Sequence, residues 1–301
     1  MAALICGSLA FDTIMTFEGR FAEQILPDQL HILNVSFLVP SLRRDFGGCA
    51  GNIAYSLKLL GGDPWPMATL GTDGADYLQR LKSLGIDDRY VRQVDGTYTA
   101  QAMIMTDRDN NQITAFHPGA MSQAHISKID AHPQVRVGII SPDGRDAMLE
   151  HAAQFAAAGI PFVFDPGQGL PMFNGDELRR FIEQATWVTV NDYEGKMLCD
   201  RTGLSLEDIS RKVQGLVVTL GAEGCDVWVD GQSTRIAPVK PAAVVDPTGC
   251  GDAWRGALLF GLEQGWPLTR CAALGNRVGA LKIAQRGPQN YVLDFSPADF
   301  A

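Results

Sequence analysis

D-P-T-G-C-G-D-A-W-R-G, residues 246–256, combines a glycine-rich turn with the start of an apolar segment. Two glycines and a Pro-Thr step leave little side chain between Asp246 and Asp252, so backbone N–H groups can approach a bound group closely. Residues 253–260 are mainly apolar and predict a helix that begins directly after this turn. The N-terminus of a helix attracts negative charge, and the carboxylate of Asp252 stands at that point.

Two interpretations of this stretch are open from these residues alone. One is a glycine-rich turn that only caps a helix, with Asp252 complementing the helix dipole. The other combines an anion-binding loop with a carboxylate that takes a proton, which is what phosphoryl transfer to a hydroxyl requires. The remainder of the chain has to decide between them.

The composition is that of a globular protein whose surface does not suit nucleic acid. Of the 301 residues, 46% are hydrophobic and 20% are charged, and the formal net charge is −9. A negative surface opposes binding to a phosphate backbone. The short apolar run at the N-terminus lacks a basic region before it, and no stretch approaches the ~20 apolar residues of a membrane span. We therefore expect a cytoplasmic protein with no nucleic-acid or membrane partner.

Six cysteines are scattered along the chain without C-x-x-C spacing or histidine partners. This pattern is typical of reduced, mostly buried thiols, and not of a disulfide framework or a zinc site. The cysteines are Cys6, Cys49, Cys199, Cys225, Cys250 and Cys271.

The second half of the chain alternates between strand-like and helix-like segments. The predicted strands are 135–140, 161–164, 187–190, 215–220 and 225–229, and the predicted helices between them include 145–158 and 175–185. Repeated units of this kind indicate a parallel sheet with helices on both faces. Residues 3–6 predict a first buried strand of the same sheet. Because no repeat or low-complexity linker interrupts the chain, we expect a single α/β domain spanning residues 1–301.

Two parts of the first half depart from this alternation and predict a small second sheet. Their strand-like segments are 13–17, 34–39, 97–106 and 112–116. A polar, helix-like spacer lies near residues 23–30. Such β material inserted into an α/β chain is typical of a lid, which we expect to be formed by about residues 13–44 and 97–116.

Three further motifs place glycines or polar residues where a strand or helix begins or ends. F-G-G-C-A-G-N, residues 46–52, leads into a predicted helix that stops at a glycine pair. N-x-x-E at 191–194 either caps a helix or helps to hold a hydrated Mg²⁺. T-L-G-A-E-G at 219–224 either forms a hairpin turn or lines a nucleotide pocket. A dinucleotide-binding loop is disfavoured, because G-x-G-x-x-G spacing is absent.

The ordered set of motifs resembles the ribokinase-like (PfkB) family of carbohydrate and nucleoside kinases. The order is G-G-x-x-G-N near residue 50, N-x-x-E near 190, T-x-G-x-x-G near 220 and then D-P-T-G-C-G-D. The resemblance runs from residue 4 to about residue 288. Within the family, the chain is most similar to bacterial adenosine kinases in V-N-D-Y-E at 190–194, F-H-P-G-A-M at 116–121 and the segment 35–39.

The resemblance implies a catalytic centre and a site for a nucleoside acceptor. Asp252 would take the proton from the ribose 5′-hydroxyl, and the backbone of Gly249, Cys250 and Gly251 would form the anion hole. The residues implied to hold the ribose hydroxyls are Asp12, Gly48 and Asn52. Those implied to surround the base are Ser8, Ser36, Gln112, Phe116 and Gln168, with Phe116 stacking on it.

The resemblance also implies how ATP and metal ions are bound. Asn191 and Glu194 would organise Mg²⁺-ATP through water, and the ATP side would be lined by Thr219, Gly221 and Gly224. Asp246 and Thr248 would contribute to a monovalent-cation site, for which K⁺ is the expected ion.

One departure from the family pattern concerns the acceptor. Ala102 and Met103 stand where adenosine kinases place a second stacking aromatic, so the base pocket is expected to be roomier. The sequence therefore predicts a nucleoside kinase, with adenosine as the first acceptor and other nucleosides open. The alternatives are a ribose- or fructose-type sugar kinase and a non-catalytic nucleoside-binding protein. The unpaired edges of the lid predict a homodimer in which Ser36 lies near the shared edge.

Overall fold

The chain forms two β-sheets and nine α-helices within residues 2–25 and 31–300, the part that this computed structural model describes. The strands are β1 Ala2–Cys6, β2 Ala10–Thr16, β3 Ser41–Gly47, β4 Asp63–Leu70, β5 Val91–Gln93, β6 Ala100–Thr106, β7 Gln112–His117, β8 Val135–Ile140, β9 Phe162–Phe164, β10 Trp187–Asn191, β11 Gly215–Thr219, β12 Cys225–Val229 and β13 Gln232–Ile236. The helices are α1 Phe21–Gln24, α2 Cys49–Leu59, α3 Ala75–Ser83, α4 Arg145–Ala158, α5 Gly175–Gln184, α6 Asp192–Thr202, α7 Leu206–Ser210, α8 Cys250–Glu263 and α9 Leu268–Ile283.

The main sheet has nine strands in the order β13-β12-β11-β10-β9-β8-β1-β4-β5. The strands from β11 to β5 pair in parallel, which confirms the predicted parallel α/β core. Strands β12 and β13 pair antiparallel at one edge, because the turns before them are too short for a parallel crossover.

Both faces of the main sheet are covered, as successive residues of β1 show. Leu4 packs in a core cluster with Phe164 and with apolar residues of α4 and α5. Ile5 points to the opposite face and packs in a second cluster with Ala54 of α2 and Leu258 of α8. The alternation of side chains along a strand therefore fills two separate apolar layers, one on each side of the sheet.

A second sheet, which we call the lid sheet, contains four strands in the order β3-β2-β6-β7. This confirms the predicted small sheet, although its strands begin at residue 10 and extend to residues 47 and 117. The register places Asp45, Asp12, Ala102 and Phe116 directly opposite one another on four adjacent strands. Residues in one such row project from the same face of a sheet, so these four side chains lie side by side.

The prediction of a strand at residues 34–39 is wrong. Residues 33–39 carry no regular secondary structure, and the strand that pairs with β2 is Ser41–Gly47. The segment does alternate between half-buried and exposed residues, and Phe37 packs against Phe17 and Phe21. Its strand-like pattern reflects this aromatic contact, because the edge of the lid sheet beside β2 is already occupied.

The predicted helical spacer near residues 23–30 is only partly within the described chain. Helix α1 ends at Gln24, and residues 26–30 lie outside the described residues. Throughout the described ranges, we find no helix with the length and apolar character needed to cross a membrane.

Candidate active site

The predicted site residues gather where the parallel strands of the main sheet end, beside the lid sheet. Ser8 follows β1, Asp165 follows β9, Asn191 ends β10 and Thr219 ends β11. The carboxyl ends of parallel strands form the ligand crevice of open α/β sheets. Helix α8 begins at the same edge, so Asp252 faces this crevice together with residues far away in the sequence.

The N-terminus of α8 presents free backbone N–H groups. Gly249 precedes the helix with φ 73°, and a Cβ on it would lie 2.6 Å from the Cβ of Pro288, so this position requires glycine. In the described part of the chain, the N–H groups of Gly249, Gly251 and Asp252 have no hydrogen-bond acceptor. Cys250, predicted as part of the anion hole, instead donates its N–H to Pro247 O at 3.2 Å. Three donors therefore remain available for an anion.

The carboxylate of Asp252 is held by an amide from helix α2. Asn52 Nδ2 donates to Asp252 Oδ2 at 2.8 Å, across 200 residues of sequence. Burial raises the pKa of Asp252 to about 6, and the hydrogen bond from Asn52 opposes this shift. The group is therefore mainly ionised at neutral pH, and it is more basic than an ordinary aspartate.

The orientation of Asn52 is set by two residues whose role the sequence did not indicate. Gln289 Nε2 donates to Asn52 Oδ1 at 3.0 Å and to Tyr77 Oη at 2.8 Å. The Tyr77 hydroxyl in turn donates to Gly47 O at 2.6 Å. This buried chain of hydrogen bonds leaves Asn52 Nδ2 pointing at Asp252. No local pattern could have identified Gln289, because its partners lie more than 200 residues away.

Asp12 supplies a second carboxylate with a raised pKa on the lid side. Burial, together with the nearby carboxylates of Asp45 and Asp252, raises the pKa of Asp12 to about 6. A Cβ on Gly47 would lie 2.5 Å from Asp12 Oδ2, so the glycine makes room for this side chain. The predicted ribose-binding acid thus lies within electrostatic range of the predicted base.

The other residues predicted around the acceptor have different surroundings. Gly48 precedes α2 with φ 85°, and its missing side chain leaves space beside Ser8 O. Ser8 Oγ accepts from Cys49 N at 3.1 Å, so this hydroxyl caps the start of α2. Phe116 is 49% exposed on β7, next to Ala102 of β6.

Three predicted base-binding residues are exposed and less closely tied to this centre. Gln112 begins the edge strand β7, Ser36 lies in the irregular segment before β3, and Gln168 lies in the 3-10 helix Gly167–Met172 after β9. None of them hydrogen-bonds to another predicted site residue in the described ranges. The structure brings Asp12, Asn52 and Asp252 together and leaves Ser36 and Gln168 at the periphery.

Asn191 and Glu194 form a capping box at the start of α6. Asn191 Oδ1 accepts from Glu194 N at 2.7 Å, and Glu194 Oε2 accepts from Asn191 N at 2.8 Å. Asn191 Nδ2 also donates to Glu194 Oε1 at 2.8 Å. This geometry agrees with the interpretation of N-x-x-E as a helix cap. Burial and the charge of Asp165 raise the pKa of Glu194, and the hydrogen bond from the Asn191 backbone opposes this shift.

The glycine turn after β11 lies beside this capping box. Thr219 pairs with Asn191 in the parallel register, so both end adjacent strands. Gly221 has φ 57°, and a Cβ there would meet no atom within 4 Å. Gly224 has φ 87°, and a Cβ at this position would clash with the backbone oxygen of Ile236. The turn closes the β11-β12 hairpin and leaves open space beside Gly221.

A buried ion pair connects the two halves of the site. Arg255 Nη2 lies 2.8 Å from Asp165 Oδ1, and the two side chains are 7% and 4% exposed. The positive charge of Arg255 also lowers the pKa of Glu194 and of Asp252. From the sequence, Arg255 is predicted only as a member of the motif at 246–256. In the structure it interacts with the carboxylates of Asp165, Glu194 and Asp252.

Both carboxylate oxygens of Asp246, at the start of the motif, accept hydrogen bonds from the backbone. Its Oδ1 accepts from Thr248 N at 2.9 Å, and its Oδ2 accepts from Gly287 N at 2.9 Å. Burial raises the pKa of Asp246, but these hydrogen bonds outweigh it and the net shift is downward. Its backbone carbonyl accepts from Lys282 Nζ at 2.8 Å.

Comparison with known proteins agrees with this geometry. The profile of the pfkB family carbohydrate kinases matches residues 19–294. A nucleoside kinase from Methanocaldococcus jannaschii is 30% identical over 293 residues, covering 96% of this chain and 93% of that protein. The solved structure of a nucleoside kinase from Burkholderia thailandensis in complex with inosine is 52% identical, has a TM-score of 0.87 and covers 99% of this chain and 95% of its own.

A more distant structure shows the same fold. Adenosine kinase from Sinorhizobium meliloti is 23% identical, with a TM-score of 0.77 over 99% of this chain and 97% of its own. The match to the family profile extends over most of the chain and includes the motif at the start of α8. This chain therefore belongs to the pfkB family of carbohydrate kinases, which transfer a phosphoryl group to a hydroxyl acceptor.

Proposed function

We propose that this kinase transfers the γ-phosphoryl group of ATP to the 5′-hydroxyl of a nucleoside, with adenosine as the first acceptor to test. The observation that carries the proposal is the Asp252 carboxylate, held by Asn52 beside the free N–H groups of α8. The named relatives support a nucleoside as the class of acceptor. Residues 1–301 act as one kinase unit in this proposal, with the lid sheet closing over the acceptor.

In the proposed reaction, Asp252 accepts the proton of the acceptor hydroxyl as the oxygen attacks the γ-phosphorus. The N–H groups of Gly249, Gly251 and Asp252 stabilise the charge on the transferring phosphoryl group. Asp12 and Asn52 hold the ribose hydroxyls, with Gly48 allowing the close approach of the sugar. Because phosphoryl transfer passes through a loose transition state, positioning and charge stabilisation supply most of the catalysis.

The nucleoside base would lie along the lid row that starts at Asp12. Phe116 offers a half-exposed aromatic face for stacking, and Ala102 between it and Asp12 leaves room beside the ring. Stacking of a base on an aromatic side chain is worth roughly 1–3 kcal/mol. The buried Ser8 and the exposed residues Ser36, Gln112 and Gln168 complete the proposed pocket. A single stacking ring favours purines without restricting the site to adenosine.

Mg²⁺-ATP would bind beside α6 and the glycine turn after β11. Mg²⁺ keeps most of its waters and binds proteins through few carboxylates, which suits Glu194 acting through water next to Asn191. When bound, the ion neutralises charge on the ATP phosphates. Thr219, Gly221 and Gly224 would line the nucleotide, where the open space beside Gly221 accommodates it.

Glu194→Gln tests the proposed magnesium role apart from the capping role. The amide oxygen of glutamine can still accept from the backbone N–H of Asn191, so both backbone bonds of the capping box remain, and only the bond from Asn191 Nδ2 is lost. We expect kcat/KM for ATP to fall about tenfold at limiting Mg²⁺, in line with the 10–100-fold effects of residues around a metal. Excess Mg²⁺ should recover part of the loss, and the thermal unfolding temperature should fall only slightly, because one side-chain hydrogen bond is lost. Equal loss at all Mg²⁺ concentrations would contradict this role.

A panel of acceptors tests the proposed function directly. Adenosine, inosine, guanosine, cytidine, uridine, ribose and fructose are each incubated with Mg²⁺-ATP, and ADP is measured by chromatography. We expect nucleosides to be phosphorylated and free sugars to be at least about a hundredfold poorer, since they lack the base contact. 5′-Deoxyadenosine serves as the control, because it binds without offering the reacting hydroxyl.

The outcomes of the panel separate the alternatives. Turnover of ribose or fructose that exceeds turnover of every nucleoside would support the sugar-kinase alternative. Binding of nucleosides with no ADP formation would support a non-catalytic nucleoside-binding protein. Equal turnover of purine and pyrimidine nucleosides would retain the reaction and reject adenosine as the preferred acceptor.

We also propose that two copies of the chain associate through the lid sheet. Leu42, Met15, Met105 and Ile113 lie opposite one another on its four strands, on the face away from Asp12. Leu42 is 63% exposed and Ile113 is 42% exposed, so within the described residues this apolar row lacks a cover. A second copy offers the same row and covers it by two-fold symmetry, with Ser36 near the shared edge.

Leu42→Lys is expected to convert the dimer into a monomer. A lysine in the row places two like charges in the proposed interface and removes apolar contact area. Light scattering after size-exclusion chromatography reports the mass. Ser41→Lys is the matched control, since it adds the same charge at the adjacent exposed position. A monomeric wild-type protein would contradict the proposal.

A further inference from the structure

Lys282 joins the motif at 246–252 to the C-terminal end of helix α9. Its Nζ donates to Asp246 O at 2.8 Å and to Gln285 O at 3.3 Å. The residue is 0% exposed, although it carries a long charged side chain. The backbone N–H groups of Val245 and Asp246 also donate to Ile283 O, at 2.8 and 3.1 Å. The loop before α8 is therefore anchored to the residues around the end of α9.

A buried ammonium needs compensation, and the surroundings of Lys282 supply it. Burial lowers the pKa of Lys282, while the charge of Asp246 raises it. Carbonyl oxygens at the end of a helix carry partial negative charge, which favours a cation there. The site therefore combines backbone carbonyls, a carboxylate and the buried ammonium, and the guanidinium of Arg43 lies 3.8 Å from the same Asp246 carboxylate.

The same set of oxygens is what a monovalent cation would use. Backbone carbonyls replace the hydration shell of K⁺ in proteins, and an ammonium group resembles K⁺ in charge and size. The lysine ammonium already lies against the carbonyl of Asp246, and the Asp246 carboxylate accepts two backbone hydrogen bonds. A K⁺ ion at that carbonyl would lie next to another positive charge, and like charges a few ångströms apart repel strongly in a buried site. The predicted K⁺ site at Asp246 and Thr248 does not fit these residues.

We propose that the ammonium of Lys282 takes the place of a monovalent cation and makes this kinase independent of K⁺. Lys282 is a positioning residue: it holds the carbonyl of Asp246, and through the loop it holds Gly249 at the start of α8. The free N–H groups of Gly249, Gly251 and Asp252 are thereby presented to the transferring phosphoryl group. The inference depends on phosphoryl transfer by the pfkB-family fold and not on which acceptor is used.

The first test is a cation titration of the wild-type enzyme. Tetramethylammonium chloride is replaced stepwise by KCl at constant ionic strength and saturating Mg²⁺-ATP, with adenosine or the best acceptor of the panel. ADP is measured by chromatography, so that no coupling enzyme responds to the cation. We expect kcat to change by less than about twofold, below the roughly fivefold effect typical of a coupled site. Activation by K⁺ of fivefold or more would overturn the proposal.

The second test removes the internal cation with Lys282→Ala. We expect kcat to fall by about tenfold to a hundredfold, because small displacements of positioned groups cost up to about a hundredfold. K⁺ or methylammonium should restore much of this loss, whereas tetramethylammonium is too large to do so. The thermal unfolding temperature of the variant should rise with K⁺ more than that of wild type. A folded variant that no small cation rescues would overturn the proposal.

Lys82→Ala is the matched control, because its side chain is 70% exposed on α3. It should keep wild-type activity and show no response to K⁺. If Lys282→Ala does not fold, the wild-type titration still decides the question, since it requires no substitution. A complete absence of turnover with every acceptor would reject the proposed function and not the cation inference. In that case the cation inference is tested by unfolding, and a wild-type unfolding temperature that rises with K⁺ would overturn it.

Discussion

Replacing Asp252 with asparagine is expected to abolish measurable phosphoryl transfer while leaving nucleoside binding nearly unchanged. Asparagine has the same size, and its side-chain oxygen can still accept the hydrogen bond from Asn52. It cannot accept the proton of the attacking hydroxyl, because an amide is not a base at neutral pH. Loss of a general base typically lowers kcat by about 10²–10⁴-fold. The effect should appear in kcat and not in the dissociation constant of the acceptor.

The measurement combines turnover with direct binding. ADP formation gives kcat, and titration calorimetry gives the nucleoside affinity of the same preparation. Asp146→Asn is the control, because the Asp146 side chain is 67% exposed on α4 and pairs with Arg145, which is not a predicted site residue. Near-normal turnover in Asp252→Asn would remove Asp252 from the role of base.

The pH dependence of the wild-type enzyme should reveal the same group. The pKa of Asp252 and that of Asp12 are both raised to about 6, chiefly by burial. The base must be ionised to accept a proton, so kcat/KM should be constant above this pKa and fall as the pH drops below it. Asp12→Asn should leave the fall caused by Asp252 in place with a shallower slope. A profile that stays flat down to pH 5 would contradict the assignment.

Replacing Arg255 with methionine is expected to lower the free energy of unfolding by about 3–5 kcal/mol. Methionine fills a similar volume but leaves the Asp165 carboxylate buried and unpaired, at 3% exposure. Three acids would also lose their shared counter-charge, since Arg255 lowers the pKa of Glu194 and of Asp252. We expect an ATP-side defect in addition to the loss of stability.

Urea unfolding of two further variants tests the electrostatic explanation. Adding Asp165→Asn to Arg255→Met removes the unpaired charge and should restore part of the lost stability. Arg20→Met breaks the ion pair with Asp109, in which both side chains are about half exposed, and should change stability far less. If Arg255→Met unfolds at the wild-type urea concentration, the ion pair contributes no net stability.

The α/β core could be predicted because its evidence is local. Strand and helix periods alternate along the second half of the chain, and the strand 135–140 and helix 145–158 lie at their predicted positions. The segment 34–39 was misassigned because the same alternation arises when side chains pack on a neighbouring aromatic cluster. Only the pairing of β2 with Ser41–Gly47 shows which of the two segments is the strand.

The contacts that orient the site connect distant parts of the chain. Asn52 reaches Asp252 across 200 residues, and Gln289 reaches Asn52 across 237. Arg255 meets Asp165 across 90 residues, and Lys282 meets Asp246 across 36. A single sequence contains no periodicity that reports such pairs, because they depend on how helices dock on the sheet.

The sequence by itself determined the parallel α/β core, the glycine-rich start of α8 and the identity of Asp252 as the candidate base. These features follow from local chemistry: glycine permits φ 73° at Gly249, and an apolar helix must follow it. The tertiary structure alone decided which N–H groups remain free, how Asn52 holds the carboxylate and that the Lys282 ammonium donates to the carbonyl of Asp246. Those properties depend on burial and on partners from other elements, and folding is what brings them together.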